Sequence, residues 1–432
     1  MRDGDTIVAL SSGSVPSGVA VIRLSGPHSG PTLEAMLGAL PEPRRLRLVP
    51  IRLGGELFDR GLVAWFPAPH SFTGEDCAEL QVHGSPAVVR GLLRALAARQ
   101  GIRLAEAGEF TRRAFENGKL DLPEVEGLGD LIEAETEGQR KQAIARLSGR
   151  LSAQIEGWRE RLLDGRAEIE AQLDFSDEGD VGDLPEHFAG SLKTLLEELQ
   201  AAIETVGRGR IVREGLRVAL AGPPNAGKSS LLNALARSDV AIVTDEPGTT
   251  RDVREVAIDL GGQLVILVDM AGLRDTESKA EAEGVRRARA EIAQADLVLW
   301  LRAPDVADVA PQATGAPVWR VATKSDLSAP DGPVDVAVST RTGAGLGDLL
   351  QKLSNFAAAT TAGEPPLLSR ERDLAALKAA HAAIQEAIER LDDPEIAAES
   401  LRRATNALER LLGRIDAESV LDRLFSAFCI GK

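Results

Sequence analysis

Residues 222 to 229 are the stretch whose residue types and spacing point most directly to chemistry. They read GPPNAGKS, which fits the phosphate-loop pattern G-x-x-x-x-G-K-[ST], and they follow the apolar run LRVALA. Backbone N–H groups in such a loop converge on an anion, and the helix that follows adds its dipole. Lys228 is expected to reach the β- and γ-phosphates of a nucleotide, and the Ser229 hydroxyl to bind Mg²⁺. The predicted contacts of this loop are Asn225, Ala226, Gly227, Lys228, Ser229 and Ser230.

Two later segments indicate that the base is guanine. Asp269 and Gly272 close the next apolar run, where the carboxylate is placed to hold Mg²⁺, directly or through water, and the glycine amide to meet the γ-phosphate. Asp326 ends the segment Thr323–Lys324–Ser325–Asp326, and its carboxylate can accept hydrogen bonds from guanine N1–H and the exocyclic amine. Lys324 is expected to lie along the base. Backbone contact to the base is expected from Ser339, Thr340 and Arg341.

Two positions depart from the usual GTPase pattern. Thr323 stands where the base motif usually has Asn, so the base loop is expected to be held differently. Leu273 stands where a Ras-like hydrolase has the glutamine that orients the attacking water, and leucine cannot orient water. Hydrolysis is therefore either very slow or assisted by another group.

Composition excludes several classes of protein. The formal net charge of −16 argues against broad non-specific nucleic-acid binding, which needs a basic surface. Two cysteines cannot form a disulfide framework and suit a reducing cytoplasm, and five scattered histidines lack zinc-ligand spacing. No apolar run approaches the roughly 20 residues of a membrane helix, and the N-terminal stretch lacks the apolar region of a signal peptide. A cytoplasmic protein without a membrane partner is expected.

The elements that must position these residues fall into four segments. Residues 1–119 mix short β-like runs with one helix, an α+β pattern, and residues 120–210 are helical. Residues 211–362 alternate strands and helices, as in a parallel sheet, and residues 363–432 are helical again. The predicted fold is multidomain α/β: an α+β N-terminal domain and a helical bundle built from both flanks, with a Ras-like phosphate-loop domain inserted. The apolar stripes of the flanking helices could instead pair as a coiled coil.

Several motifs together resemble the MnmE (TrmE) family of tRNA modification GTPases. They are the phosphate loop, VTDEPGTTRD, the terminal FCIGK, and the N-terminal stretches DTIVAL, VIRLSGP, SFTGEDCAELQVHG and GEFTRRAFENGKLDL. The similarity runs over the whole chain. It implies potassium-activated GTP hydrolysis coupled to modification of the wobble uridine C5 of certain tRNAs. It also implies an FAD-containing partner of the MnmG (GidA) type, a tetrahydrofolate one-carbon donor, and glycine or ammonium as amine donor. A homodimer through the N-terminal domain with paired G domains is a further implication.

The resemblance also assigns site residues. Potassium would be held by Asn225 and by the segment containing Thr244, Glu246 and Thr249, and Mg²⁺ by Ser229 and Thr250. Glu281 matches the acid that orients the attacking water, with Glu283 as a nearby competitor. The folate positions are Arg23, Glu79 and Lys119. The residues after Cys429 fit a prenylation motif poorly. Two roles remain for this cysteine: a chemical role in tRNA modification, or a structural thiol.

Two other functions are compatible with parts of the pattern. A GTPase switch in ribosome or RNA assembly would share the phosphate loop but carry out no covalent chemistry. A folate-dependent aminomethyltransferase could use the GTPase segment for regulation only. GTPase switches of the first kind lack a folate-like N-terminal block. The N-terminal block permits the second function, but nothing in the sequence supplies an independent lipoyl or glycine site.

Overall fold

The computed structural model describes residues 4–175, 187–242, 255–269, 294–307, 315–428 and 431. The chain forms two compact units. The first unit consists of Met1–Gly129 with Glu409–Lys432, and the second of Asp130–Leu408. The prediction of four segments, 1–119, 120–210, 211–362 and 363–432, concerns domain boundaries and stays a prediction.

The described residues form twelve strands and twelve helices, labelled in chain order. The strands are β1 (Thr6–Leu10), β2 (Ser17–Ser25), β3 (Arg47–Leu53), β4 (Glu56–Phe66), β5 (Cys77–Gly84), β6 (Ile102–Leu104), β7 (Leu216–Ala221), β8 (Glu255–Asp259), β9 (Leu264–Asp269), β10 (Leu297–Arg302), β11 (Val318–Ala322) and β12 (Val336–Ala337). The helices are α1 (Ser29–Leu37), α2 (Pro86–Ala97), α3 (Glu109–Glu116), α4 (Leu122–Glu133), α5 (Glu137–Leu147), α6 (Arg150–Phe175), α7 (Phe188–Glu214), α8 (Lys228–Ala236), α9 (Leu346–Thr360), α10 (Glu371–Glu389), α11 (Pro394–Leu412) and α12 (Glu418–Ala427).

The first unit contains a six-stranded sheet of order β3-β4-β5-β2-β1-β6, in which only the β1–β6 pair is parallel. Because side chains alternate between the faces of a strand, Ala20, Ile22 and Leu24 of β2 are buried on one face. Helices α1 and α2 contribute apolar side chains to the same core. Arg23 belongs to the alternate set of β2 residues and so lies on the opposite face of the sheet. This arrangement confirms the predicted α+β fold of the N-terminal part.

Helix α12 completes a second core of the first unit, beside α3 and α4. Leu421 and Phe425 of α12 are buried together with apolar residues of α4. The Phe425 ring lies so close to Gly108 that a Cβ atom at that glycine would be 2.8 Å from a ring carbon. Arg112 of α3 donates a hydrogen bond to the Asp422 carboxylate at 2.6 Å. Residues that are far apart in the sequence therefore share one core.

In the second unit, helices that precede and helices that follow a second β-sheet (strands β7 to β12) in the chain pack together, as predicted for a bundle built from both flanks. Helix α7 lies before that sheet in the chain and α10 after it, and the two are in extensive contact. Apolar residues at helical spacing are buried, namely Leu151, Ile155, Leu162, Leu192, Leu195, Leu199, Leu377 and Ile384. Among the described helices, none is long and apolar enough to cross a lipid bilayer.

Apolar residues recur at helical spacing from Ile144 to Leu162, but they belong to two helices rather than one. Helix α5 ends at Leu147 and α6 begins at Arg150. Gly149 lies between them with φ of 76°, a left-handed conformation that commonly ends a helix. Ile144, in the last turn of α5, is 42% exposed.

The second unit contains a six-stranded sheet of order β12-β11-β10-β7-β9-β8. Its strands run parallel except for the edge strand β8, which pairs with β9 in antiparallel register. Buried leucines and valines of β7, β9 and β10 form a core with α8 and α9. The central strand β7 leads directly into the phosphate loop. The predicted parallel-sheet domain inserted between helices is confirmed.

A buried ion pair fastens α5 to the start of α10. The Arg146 and Asp373 side chains are 0% and 1% exposed, and Arg146 Nη1 lies 3.5 Å from Asp373 Oδ2. Arg146 also donates to the Leu367 carbonyl oxygen at 2.5 Å, and Asp373 accepts the Ser369 and Arg370 amides at 3.1 Å each. The pair thus joins a helix before the second sheet to one after it.

We expect the Arg146→Met substitution to lower the free energy of unfolding by about 3–5 kcal/mol, because it leaves the buried Asp373 carboxylate without this guanidinium. A fall in the urea midpoint, followed by circular dichroism, measures the effect. Arg150→Ala is the matched control, because Arg150 pairs with Glu364 at the surface, where such pairs contribute about 0–1 kcal/mol. Equal midpoints for the two variants would contradict the expectation.

Candidate nucleotide-binding and active site

The phosphate loop between β7 and α8 has the backbone conformation that its sequence requires. Gly222, Asn225 and Gly227 have φ of 139°, 63° and 91°. A Cβ atom at Gly222 would lie 2.5 Å from the Leu301 carbonyl oxygen, so only glycine fits there. Lys228 begins α8 and is buried, and its Nζ donates to the carbonyl oxygens of Gly222 and Pro223 at 2.9 Å each. The loop therefore curls around the ammonium group that is expected to bind phosphate.

The two predicted Mg²⁺ ligands that the structure describes are in direct contact. The Ser229 hydroxyl, in the first turn of α8, donates a hydrogen bond to the carboxylate of Asp269. Asp269 is buried at the end of β9, paired with Leu220 of β7. The parallel strands thus deliver an acid and a hydroxyl to the same edge of the sheet, and oxygen ligands of this kind suit Mg²⁺. Of the remaining predicted loop residues, Ala226 is buried and Ser230 is exposed.

Thr323 links the base loop to the phosphate loop. Its hydroxyl lies 2.7 Å from the Ala226 carbonyl oxygen, to which it donates, and 3.1 Å from the carbonyl oxygen of Arg302. The side chain is buried. The replacement of the usual asparagine by Thr323 therefore leaves the two loops joined by a side-chain hydrogen bond.

Asp326 is held in place by Ser339, another predicted base-site residue. The Ser339 hydroxyl donates to Asp326 Oδ1 at 2.7 Å, and Arg341 Nη1 lies 3.7 Å from Oδ2. The hydrogen bond from Ser339 is the largest influence on the pKa of Asp326 and lowers it; the Arg341 charge adds to this, while partial burial opposes it. Asp326 is thus kept as a carboxylate, the form that accepts both guanine donors. Thr340 is exposed beside it.

Asp305 is a site residue that sequence reasoning missed. Lys324 Nζ lies 2.8 and 2.6 Å from the two carboxylate oxygens of Asp305, and this hydrogen bond lowers the pKa of the carboxyl. Asp305 follows β10, and no motif marks it. A cavity of about 220 Å³ lies beside this pair and is lined by Pro223, Pro304, Val306, Thr323 and Pro330 among others. The neighbouring strand end therefore anchors the lysine that is expected to lie along the base.

Seven predicted positions lie outside the described residues. They are Thr244, Glu246, Thr249, Thr250, Gly272, Glu281 and Cys429, together with the competitor Glu283. Phe428 and Gly431, near Cys429, are described. The Phe428 ring lies 6.0 Å from that of Phe425, and the Gly431 carbonyl oxygen accepts a hydrogen bond from the Ser11 hydroxyl.

In the first unit, two of the three predicted folate residues are brought together. Arg23 of β2 is directly opposite Glu79 of β5, and Arg23 Nη2 lies 2.8 Å from Glu79 Oε1. The Arg23 guanidinium lies 5.4 Å from the centroid of the Phe72 ring, which is 39% exposed. Lys119 packs against the loop before β5, the loop that also carries Phe72: a Cβ atom at Gly74 would be 3.3 Å from Lys119 Cε.

A buried charge cluster anchors the same loop and was not predicted. Arg113 donates to Glu75 Oε2 at 2.9 Å and to Glu109 Oε1 at 3.1 Å. Burial alone would raise the pKa of Glu109, but hydrogen bonds from Arg103, the Glu106 amide and Arg113 outweigh it, so the pKa is lowered. The signal in the sequence is the run GEFTRRAF, in which Glu109 and Arg113 are four residues apart and so lie on one face of a helix. Arg113 thus ties the loop that carries Glu75 to α3.

Comparison with known proteins places this site in a family. A family profile described as "MnmE helical domain" matches residues 122–429, and one described as "GTP-binding protein TrmE N-terminus" matches residues 6–119. The tRNA modification GTPase MnmE of Azorhizobium caulinodans is 50% identical over 436 residues, which cover 100% of both chains. That of Rhizobium meliloti is 51% identical over 444 residues, again covering 100% of both chains. The G domain of the T. maritima FeoB iron transporter is 26% identical and covers 33% of this chain and 98% of its own, with a TM-score of 0.24. By its full-length similarity, the chain is a GTPase and belongs to the MnmE family of tRNA modification GTPases.

Proposed function

We propose that this protein couples potassium-activated GTP hydrolysis to modification of the C5 position of wobble uridine in certain tRNAs. An aminomethyl or carboxymethylaminomethyl group is added, with a tetrahydrofolate derivative as the one-carbon donor. An FAD-containing protein of the MnmG (GidA) type acts with it. The observation that carries this proposal is the full-length identity of about one half to relatives named tRNA modification GTPase MnmE.

The arrangement of the second unit supports a guanine nucleotide as the one that is bound and hydrolysed. Lys228 and the amides of the phosphate loop are placed to neutralise the triphosphate, and Asp326 is kept ionised beside Ser339 to accept the guanine donors. The contact between Thr323 and Ala226 fixes the distance between the base loop and the phosphate loop. Lys324, with Ser339, Thr340 and Arg341, completes the proposed base site.

Two metal ions belong to the proposal. Ser229 and Asp269 fit Mg²⁺, since a hydroxyl and a buried carboxylate already touch there, and Thr250 would be a further ligand. Asn225 would hold potassium together with Thr244, Glu246 and Thr249. Bound near the phosphates, a monovalent cation supplies positive charge where some GTPases place an arginine. Glu281 is the proposed acid that orients the attacking water.

The Arg23–Glu79 pair supports a folate-type ligand on the face of the first sheet opposite the core formed with α1 and α2. A guanidinium can meet the carboxylates of a folate tail, and a carboxylate can accept hydrogen bonds from the pterin ring. The half-exposed Phe72 ring next to Arg23 adds a flat apolar surface of the kind on which a heterocycle stacks. Lys119 is the third proposed folate contact. The proposed assembly is a cytoplasmic homodimer joined through the N-terminal part with paired G domains, and Cys429 keeps both of its proposed roles, chemical or structural.

The proposal is tested by the nucleoside profile of tRNA from cells that lack this protein. Wobble uridines carrying C5-aminomethyl-type groups are expected to disappear, because no other part of the proposed pathway would supply the GTP-dependent step. Complementation with the wild-type chain restores them, whereas a chain with Lys228→Ala, which cannot bind the triphosphate properly, does not. An unchanged profile in the deletion strain would favour a GTPase switch in RNA assembly without covalent chemistry.

A further inference from the structure

The turn between β8 and β9 contacts a helix outside the sheet. Gly261 and Gly262 form this two-residue turn with φ of 66° and 86°, the left-handed conformations that a tight hairpin needs. The Leu260 amide donates to the Gln263 carbonyl oxygen at 2.9 Å and closes it. The Asp259 carboxylate accepts the Gly262 amide at 2.7 Å. The turn is therefore rigid at its tip.

The backbone of the turn is bonded to the first turn of α5. The Gly138 amide donates to the Gly262 carbonyl oxygen at 2.8 Å. A Cβ atom at Gly138 would lie 2.8 Å from that oxygen, and one at Gly262 would lie 3.3 Å from Glu137 Cβ. A side chain at Gly138 would push the two backbones apart. A side chain at Gly262 would require a smaller shift and would also be strained by the positive φ of that residue.

The other end of the same hairpin reaches the nucleotide site. β9 ends at Asp269, which accepts the hydrogen bond from Ser229. β8 and β9 pair through five residues each, and β9 also pairs with β7, which leads into the phosphate loop. A strand of this length spans roughly 15–20 Å. The ladder resists sliding of one strand past the other, so a shift at Asp269 is carried to Gly262.

A second bond ties α5 to the nucleotide-binding sheet. Gln139 Nε2 donates to the Arg213 carbonyl oxygen at 2.9 Å, near the end of α7. After Gly215 the chain enters β7. Thr136 and Gln139 form a capping box that fixes the first turn of α5. That turn is therefore bonded both to the β8–β9 turn and to the helix that feeds β7.

We propose that this contact, between the first turn of α5 (Thr136–Gln139) and the β8–β9 turn (Leu260–Gln263), transmits the nucleotide state of the phosphate site to α5. It depends only on GTP binding, and goes beyond the proposed tRNA chemistry. Two linked sites bias each other typically 5- to 150-fold in equilibrium. Since the contact is small, we expect an effect of about fivefold, at the lower end of this range. If the contact is purely structural, hydrogen exchange in α5 will not change when nucleotide binds.

Hydrogen exchange with and without a non-hydrolysable GTP analogue and Mg²⁺ tests the proposal. In the wild-type chain, the amides of α5 are expected to exchange about fivefold more slowly with nucleotide. Gly138→Ala and Gly262→Ala should reduce this response below about twofold. Exchange in α8, which follows the phosphate loop, should still respond and report nucleotide binding. If one variant fails to fold, the other decides, because it acts from the opposite side of the contact.

Matched controls separate the contact from the substitution itself. Gly261→Ala places alanine in the same turn with similar strain, but its Cβ atom would meet only Ser354 Oγ at 3.6 Å. Gly157→Ala places alanine in α6 with nothing within 4 Å. Both controls should keep the wild-type response of α5. The proposal is overturned if hydrogen exchange in α5 of the wild-type chain does not change with nucleotide. It is also overturned if exchange in α5 shows the full wild-type response in both Gly138→Ala and Gly262→Ala.

Discussion

The Asp326→Asn variant is expected to bind GTP about 10²- to 10⁴-fold more weakly than the wild-type chain. Guanine offers two donors, and hydrogen bonds to a charged group contribute about 1.5–3 kcal/mol each. Asparagine keeps one acceptor oxygen, but its amide places a donor against a guanine donor. The bond from Ser339 lowers the pKa of Asp326, so the carboxylate form that the variant lacks is the one present in the wild type.

The same argument predicts a gain of affinity for another base. Xanthine has a carbonyl where guanine has its exocyclic amine, so the amide of Asp326→Asn should bind xanthosine triphosphate better than GTP. Titration with fluorescent analogues of GTP and xanthosine triphosphate measures the affinity of each variant for both nucleotides. Asp335→Asn is the control, because Asp335 bonds to Lys352 and the Arg320 amide. A variant at position 326 that binds GTP within about threefold of wild type would refute the predicted guanine contact.

GTP turnover is expected to fall by about three orders of magnitude when sodium replaces potassium at constant ionic strength. Leu273 cannot orient water, so fast hydrolysis needs another group. The proposed group is a cation near the β- and γ-phosphates, where an arginine finger raises the rate of other GTPases by about 10³–10⁵. Asn225 lies in the phosphate loop with φ of 63°, next to the buried Ala226. It is the described residue of the predicted potassium set.

Asn225→Ala should bring the rates in the two salts close together by lowering the rate in potassium. Phosphate release under single-turnover conditions measures both rates without interference from product release. Asn233→Ala is the control, since Asn233 is an exposed residue of α8. Equal rates in sodium and potassium for the wild-type chain would exclude the cation mechanism, whatever the variants do.

The parts of the site that could be predicted from the sequence are those fixed by local chain geometry. The phosphate loop needs glycines at set positions and a strand and helix on either side, so a short pattern specifies it, and the loop conformation agrees. The parallel sheet and the flanking bundle were equally readable from the spacing of apolar residues. Arg23 and Glu79, by contrast, were assigned through family resemblance, and their pairing became visible only with the register of β2 and β5.

What could not be predicted depends on contacts between distant residues. Asp305 meets Lys324 because two parallel strands end side by side, and neither residue belongs to a shared motif. The Arg146–Asp373 pair brings together residues more than 200 positions apart. In the sequence, each is a single charged residue of a helix and looks like an ordinary surface residue. Thr323 looked like a weakening of the base motif, yet its hydroxyl reaches the Ala226 carbonyl oxygen. Side-chain reach across a fold leaves no periodic signal in a sequence.

The packing of α12 against α3 and α4 has a consequence for the order of events during synthesis. The first unit is completed only when Glu409–Lys432 is available, roughly 280 residues after Gly129 has been made. At about 5–20 residues per second, the ribosome needs on the order of 15–55 s to reach it. Throughout that interval the apolar surface around Gly108, Leu122 and Val125 lacks its packing partners Leu421 and Phe425. We therefore expect the nascent chain to bind chaperones that shield apolar surface, and the second unit to fold before the first is complete.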